Sequence, residues 1–155
     1  MKKLIKRREI PVGNSVSNHP LLDRLYRARH IQNTKELDRT LKSMLNPNLL
    51  YGIEQAVNLL VEAYQQQQKI VIVGDFDADG ATSTALSVLA LRQLGFSDVD
   101  YLVPNRFEQG YGLSIPVAEM AIEKGVQLLM TVDNGVSSFD GVAFFFYIGI
   151  RVLVP

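Results

Sequence analysis

Apolar and polar positions along this chain follow two different rhythms, and the change comes near Lys69. Before it, Ile53, Ala56, Val57, Leu60, Val61 and Tyr64 recur at helical spacing, which predicts an amphipathic helix from about Gly52 to Gln67. Two shorter helices are predicted upstream. Asn18, as cap, and Pro20 open one across Leu21–His30. Asn33 and Glu36, at capping-box spacing, open another over Lys35–Met44, which Asn46-Pro47-Asn48 breaks. Residues 1–18 lack a sustained period and read as an extended arm.

From Lys69 the apolar residues come in short β-branched runs. Ile70–Val73, Val99–Val103, Val126–Val132 and Ile150–Val154 are predicted strands. Ala81–Leu94 and Ile115–Lys124 are predicted helices, stopped by Gly95 and Gly125. Strands alternating with helices imply an α/β fold with a mostly parallel, Rossmann-like sheet and flanking helices. The division expected is a basic, helical region over 1–68 and an α/β domain over 69–155. Val142-Ala143-Phe144-Phe145-Phe146-Tyr147-Ile148 lacks the polar residues that a surface helix needs. It reads as an aggregation hazard instead.

Composition narrows the chemistry. The 155 residues contain no cysteine, which removes disulfides, zinc–thiolate sites and thiol catalysis. Neither a signal peptide nor a membrane-spanning run is legible, so a cytoplasmic protein with no membrane partner is expected. Sixteen basic residues balance sixteen acidic ones, but unevenly. Over residues 1–69 Lys and Arg outnumber the acids twelve to six, and the remainder is acidic. A basic arm, beginning within Met1–Arg8, beside an acidic half suits an enzyme acting on a polyanion, although charge alone favours a solvated surface.

The acidity concentrates where the first strand ends, in Gly74-Asp75-Phe76-Asp77-Ala78-Asp79-Gly80. Three carboxylates in five residues repel one another, and a divalent cation on oxygen ligands relieves them. A calcium EF-hand needs a bidentate Glu at the twelfth loop position, where Leu86 stands, and a preceding helix. No Gly-Lys-Ser/Thr follows for a phosphate loop, and Gly74 and Gly80 do not make a dinucleotide fingerprint. Three readings remain. Asp75 could be the nucleophile of an aspartyl-phosphate phosphohydrolase, with Asp77 as acid/base. The acids could merely cap the next helix. Or carboxylates from two strand ends, with Asp133 joining the loop, could hold a pair of metal ions in a phosphoesterase.

The segment Gly74–Leu86 resembles the first motif of the DHH phosphoesterases. Pro104-Asn105-Arg106 with Gly110-Tyr111-Gly112-Leu113 is similar to the family's second segment, and Thr131-Val132-Asp133-Asn134-Gly135-Val136-Ser137-Ser138 to its third. The resemblance implies an exonuclease that degrades single-stranded DNA from the 5′ end with Mg²⁺ or Mn²⁺, in recombination and repair. It also implies single-strand-binding or helicase partners. By position it makes Asp77, Asp79 and Asp133 metal ligands and Asp75 a further one, since Val73 stands where many relatives have His. Asn105 and Arg106 would lie near the scissile phosphate, and Tyr111 would pack or stack on a base.

The resemblance further implies an Asp-His-His triplet beyond the fourth strand, and this sequence reaches Pro155 first. A truncation, or a reading-frame change near residue 143, is the expectation. The chain by itself is then expected to be inactive or nearly so, with weak nucleic-acid binding as the alternative role.

Overall fold

Strand β1, Ile70–Val73, is the centre of the sheet, and all four of its residues are fully buried. Its side chains alternate between two cores, because successive residues of a strand point to opposite faces. Val71 and Val73 enter a cluster with Val117, Ala118 and Ala121 of helix α4 (Ile115–Glu123) and Phe145 of helix α5 (Phe139–Tyr147). Ile70 and Ile72 enter another with Ala63 of α2 (Ile53–Gln65) and Val88 and Leu91 of α3 (Ala78–Gln93). Helices on both faces are why this run has no polar position.

Strands β2 (Val99–Leu102), β3 (Leu128–Thr131) and β4 (Arg151–Leu153) complete a parallel sheet of order β2-β1-β3-β4. The α/β architecture is the one the periodicity predicts. Val73 is level with Leu102 on one side and with Thr131 on the other. The chain leaves β1 for one neighbour and later returns to the opposite one. Such a reversal opens a crevice beyond the carboxyl ends of the strands.

The structure, a computed structural model, describes Lys6 and residues 9–154. The readings of Met1–Arg8, apart from Lys6, and of Pro155 lie outside the described residues. Two compact units are present, one to Leu50 and one from Tyr51 onward, so α2 belongs with the sheet. No helix among the described residues is long and apolar enough to cross a membrane.

The first unit departs from expectation. Helix α1 covers Pro20–Arg27, and His19 rather than Asn18 caps it, accepting from the Leu22 amide. The Asn33/Glu36 capping box forms, but only a 3₁₀ turn, Thr34–Leu37, follows it. Asp38 is extended, and a second short turn spans Leu41–Ser43. Leu41, Met44 and Leu45 are exposed, and a short helix whose apolar stripe finds no surface is marginal in water.

The Val142–Ile148 segment also corrects the sequence reading, since most of it forms α5. Phe145 is fully buried and Val142 packs against the same core, so residues three apart supply the stripe a helix needs. The apolar side chains of Phe139, Phe146 and Tyr147 face outward.

Lys124 Nζ, at the end of α4, lies 2.8 Å from Asp100 Oδ2 on β2. That bond, opposed by desolvation, holds the Asp100 carboxyl below its ordinary 3.8. A lowered value stabilises the fold above pH 3.8 and is lost as pH falls through the folded value. Asp100→Asn is expected to cost under about 1 kcal/mol at pH 7, the pair being partly exposed. Urea unfolding should show that difference shrinking as pH falls below 3.8. A constant difference would count against it.

Candidate metal centre

Three adjacent strand ends converge. The turn after β1 carries Asp75 and Asp77, the first turn of α3 carries Asp79, the loop after β2 carries Asn105 and Arg106, and Asp133 follows β3. Helix α3 starts three residues earlier than Ala81 because Asp77 caps it, its Oδ1 accepting from the Gly80 amide at 3.2 Å. Asp79 then falls in the first turn, where the helix dipole favours a carboxylate. Capping thus accounts for one acid and leaves the others to another cause.

Asp133 has φ 59°, a left-handed conformation that Asp and Asn tolerate better than other side chains. Beside it, Asn134 Nδ2 donates to the carbonyls of Val73 (3.1 Å) and Val132 (3.0 Å). The ends of β1 and β3 are therefore laced together, which fixes Asp133 against the acidic loop.

Carboxylate oxygens of Asp77, Asp79 and Asp133 lie within 4.8 Å of one another, and all three residues are exposed. Desolvation pushes the Asp133 carboxyl up, and the charges of Asp79, Asp77 and Asp75 push it further. A group that resists ionisation because of its neighbours is one a cation would relieve. Oxygen donors suit Mg²⁺ or Mn²⁺, and roughly 4 Å separates opposite ligands of an octahedral ion of this size, so the residues fit.

Asp75 is placed differently, at 2% exposure and outside that group. Arg106 forks it, Nε donating to Oδ1 at 3.2 Å and Nη2 to Oδ2 at 2.8 Å, and the Phe76 amide donates to Oδ1 at 2.7 Å. Burial alone would push this carboxyl up; the hydrogen bonds and the charge of Arg106 outweigh it and hold the value down. Arg106 Nη2 also reaches Asp77 Oδ2 at 3.2 Å. Its guanidinium lies on the rings of Phe76 and Tyr111. Asn105 shapes its own turn, its Oδ1 accepting from the Phe107 amide at 3.0 Å rather than its side chain bonding to the acids.

A family model described as the DHH family, N-terminal domain, matches residues 69–154, every strand of the sheet included. The chain belongs to the DHH family. Among DHH relatives it is similar to the single-stranded-DNA-specific exonuclease RecJ of Haemophilus influenzae, at 96% identity over 154 residues. That similarity covers 99% of this chain and 27% of that protein. The Escherichia coli exonuclease of the same name is 56% identical over 135 residues, covering 87% of this chain and 23% of that protein. The chain thus spans about a quarter of the length of these curated relatives.

The fold is also similar to that of solved RecJ structures. One is exonuclease RecJ bound to manganese, with TM-score 0.64 and 36% identity over 72% of this chain and 28% of that one. The other is RecJ of Thermus thermophilus in complex with Mn²⁺, with TM-score 0.57 and 32% identity over 83% of this chain and 17% of that one.

Asn134, Phe76 and Thr84 carry local roles that the pattern of apolar positions does not reveal. Asn134 laces strands, Phe76 lies on Arg106, and Thr84 Oγ1 donates to the Gly80 carbonyl at 2.7 Å. Only their places inside the motif segments flag them in the sequence.

Proposed function

We propose that this chain provides part of the metal- and phosphate-binding site of a single-strand-specific DNA exonuclease that works from the 5′ end. The observation that carries the reading is the convergence of Asp77, Asp79 and Asp133 from two strand ends, with the Arg106 guanidinium bonded to Asp77. Asp77, Asp79 and Asp133 would hold Mg²⁺ or Mn²⁺. Such ions, as a pair in the whole protein, supply an activated water and screen the phosphate charge. Arg106 offers the phosphate its remaining guanidinium donors, and Asp75 anchors the Nε–Nη2 fork instead of ligating metal. Asn105 orders the turn that presents it. Single-strand-binding or helicase proteins are the partners that fit a whole exonuclease of this kind.

An aspartyl-phosphate mechanism is disfavoured by the burial of Asp75 and by the donors on both its oxygens. A nucleophile needs a free lone pair facing its substrate.

The test is to incubate the pure chain with labelled single-stranded DNA and Mn²⁺, beside the full-length Haemophilus influenzae relative. The expected result is Mn²⁺ binding without sustained digestion by the chain, and digestion by the relative that is lost on substituting its counterpart of Asp133. Vigorous digestion by the chain alone would overturn the expectation that it is inactive. Failure of the chain to bind Mn²⁺ at all would overturn the site.

A further inference from the structure

Arg106 has five N–H donors, and its surroundings use three of them. Nε and Nη2 are taken by Asp75, and Nη2 also by Asp77. Among the described residues none accepts from Nη1. Two rings meet the guanidinium, with its central carbon 4.1 Å from the Phe76 centroid and 4.8 Å from that of Tyr111. Neither ring belongs to a core: Phe76 is 54% exposed and Tyr111 61%.

Exposed aromatic rings beside a nucleic-acid site usually invite a base to stack. Here each ring already gives contact area to a cation. An arginine on a flexible stem loses considerable rotamer freedom when it is fixed, and ring contacts together with the Asp75 fork bear that loss before any ligand arrives. The unused Nη1 edge is thereby held in one orientation by a guanidinium bonded to Asp77, one of the three clustered carboxylates.

We propose that Phe76 and Tyr111 are positioning residues that act through Arg106, fixing its guanidinium so that Nη1 meets a phosphate oxygen of the bound strand. The inference rests on the exonuclease reading above and adds the residues that set the fork's orientation. Three donors hold the group on Asp75 and Asp77, and the two on Nη1 are left to bind.

The test uses the whole chain in Mg²⁺ and a 5′-phosphorylated oligothymidylate, with binding read by fluorescence anisotropy. An oligomer of about eight nucleotides falls within the site sizes usual for single-strand binding. Phe76→Leu and Tyr111→Leu are each expected to weaken binding about three- to fivefold, the scale of a partly exposed cation–π contact. Tyr111→Phe should keep affinity within about twofold, because the ring is what matters. Nitrogen-15 spectra should show the Arg106 Nε–H resonance displaced by ring currents and returning toward its free position in Tyr111→Leu.

The deciding arm is an Arg106→Lys background, where Tyr111→Leu should have no further effect, since residues that act as one unit are non-additive. An equal loss in that background would show a base-stacking ring and overturn the inference. So would an unchanged affinity of Tyr111→Leu in the native chain. No binding of the oligomer by a native chain that still binds Mn²⁺ would overturn the phosphate contact of Arg106, whereas loss of Mn²⁺ binding would remove the reading on which the proposal stands.

Discussion

Replacing Asp133 by asparagine is expected to weaken Mn²⁺ binding by about 100-fold or more, while leaving the chain at least as stable in EDTA. Losing a residue that merely supports a ligand typically costs about 10–100-fold in metal affinity. Losing one of the three proposed oxygen ligands belongs at or beyond the upper end of that range. Asparagine is the right replacement because residue 133 sits at φ 59°, where Asn is tolerated and Ala adds backbone strain.

The stability half follows from sign. The Asp133 carboxyl is raised above its ordinary 3.8, so its ionised form costs the folded state free energy. That cost is present above the folded value, is relieved as pH falls through it, and is absent below 3.8. A neutral asparagine side chain never carries it. Thermal melts near neutral pH should therefore show the variant melting no lower than wild type in EDTA. With Mn²⁺ at about 100 times the dissociation constant, wild type gains about 2.7 kcal/mol, and the variant gains little. A variant that keeps the full Mn²⁺ shift would remove Asp133 from the metal centre.

Much of this arrangement is legible in the sequence because β1 is so constrained. Ile70–Val73 has no polar position, and a strand covered on both faces is what such a run fits. The acids right after it then have to lie at the sheet's carboxyl edge, where Asp133 also falls. Long-range pairing is what the pattern withholds. Asp75 and Arg106 are thirty-one residues apart, and nothing in either segment says that the guanidinium takes Asp75 rather than a phosphate. Packing decided the other misses. Leu41, Met44 and Leu45 have helical spacing and no partner surface, whereas Val142 and Phe145 have few polar neighbours and a core to enter. Periodicity reports a helix only where something receives its stripe.

Gly80→Ala is expected to destabilise the chain by about 2 kcal/mol and to weaken Mn²⁺ binding by at least about tenfold. On propensity alone the opposite follows, since Ala exceeds Gly in a helix interior by about 1 kcal/mol. The decisive fact is distance. A Cβ on Gly80 would lie 2.5 Å from the Asp75 carbonyl oxygen and 2.7 Å from its carbonyl carbon and Cβ. No rotamer relieves a clash with backbone, so either the first turn of α3 or the Asp75 turn must move. Overpacking of this kind costs about 1–3 kcal/mol, occasionally more, and a contact so short belongs at the top of that range. Subtracting the propensity gain leaves the net loss stated.

Displacement falls on the residues proposed to hold the metal. Gly80's amide donates to the Asp77 cap, and Thr84 Oγ1 holds the Gly80 carbonyl, so the turn cannot shift without carrying Asp77 and Asp79 with it. Misplacing catalytic or ligand groups by about 1 Å commonly costs about 100-fold, which makes tenfold a conservative floor. Ala85→Gly, on the exposed side of the same helix, is the control: it should cost about 1 kcal/mol and leave Mn²⁺ affinity unchanged. Urea midpoints and Mn²⁺ titrations of the two variants separate helix propensity from close approach. If Gly80→Ala proves as stable as wild type, the tight contact between the end of β1 and the start of α3 does not exist as described, and the metal centre loses the feature that sets its geometry.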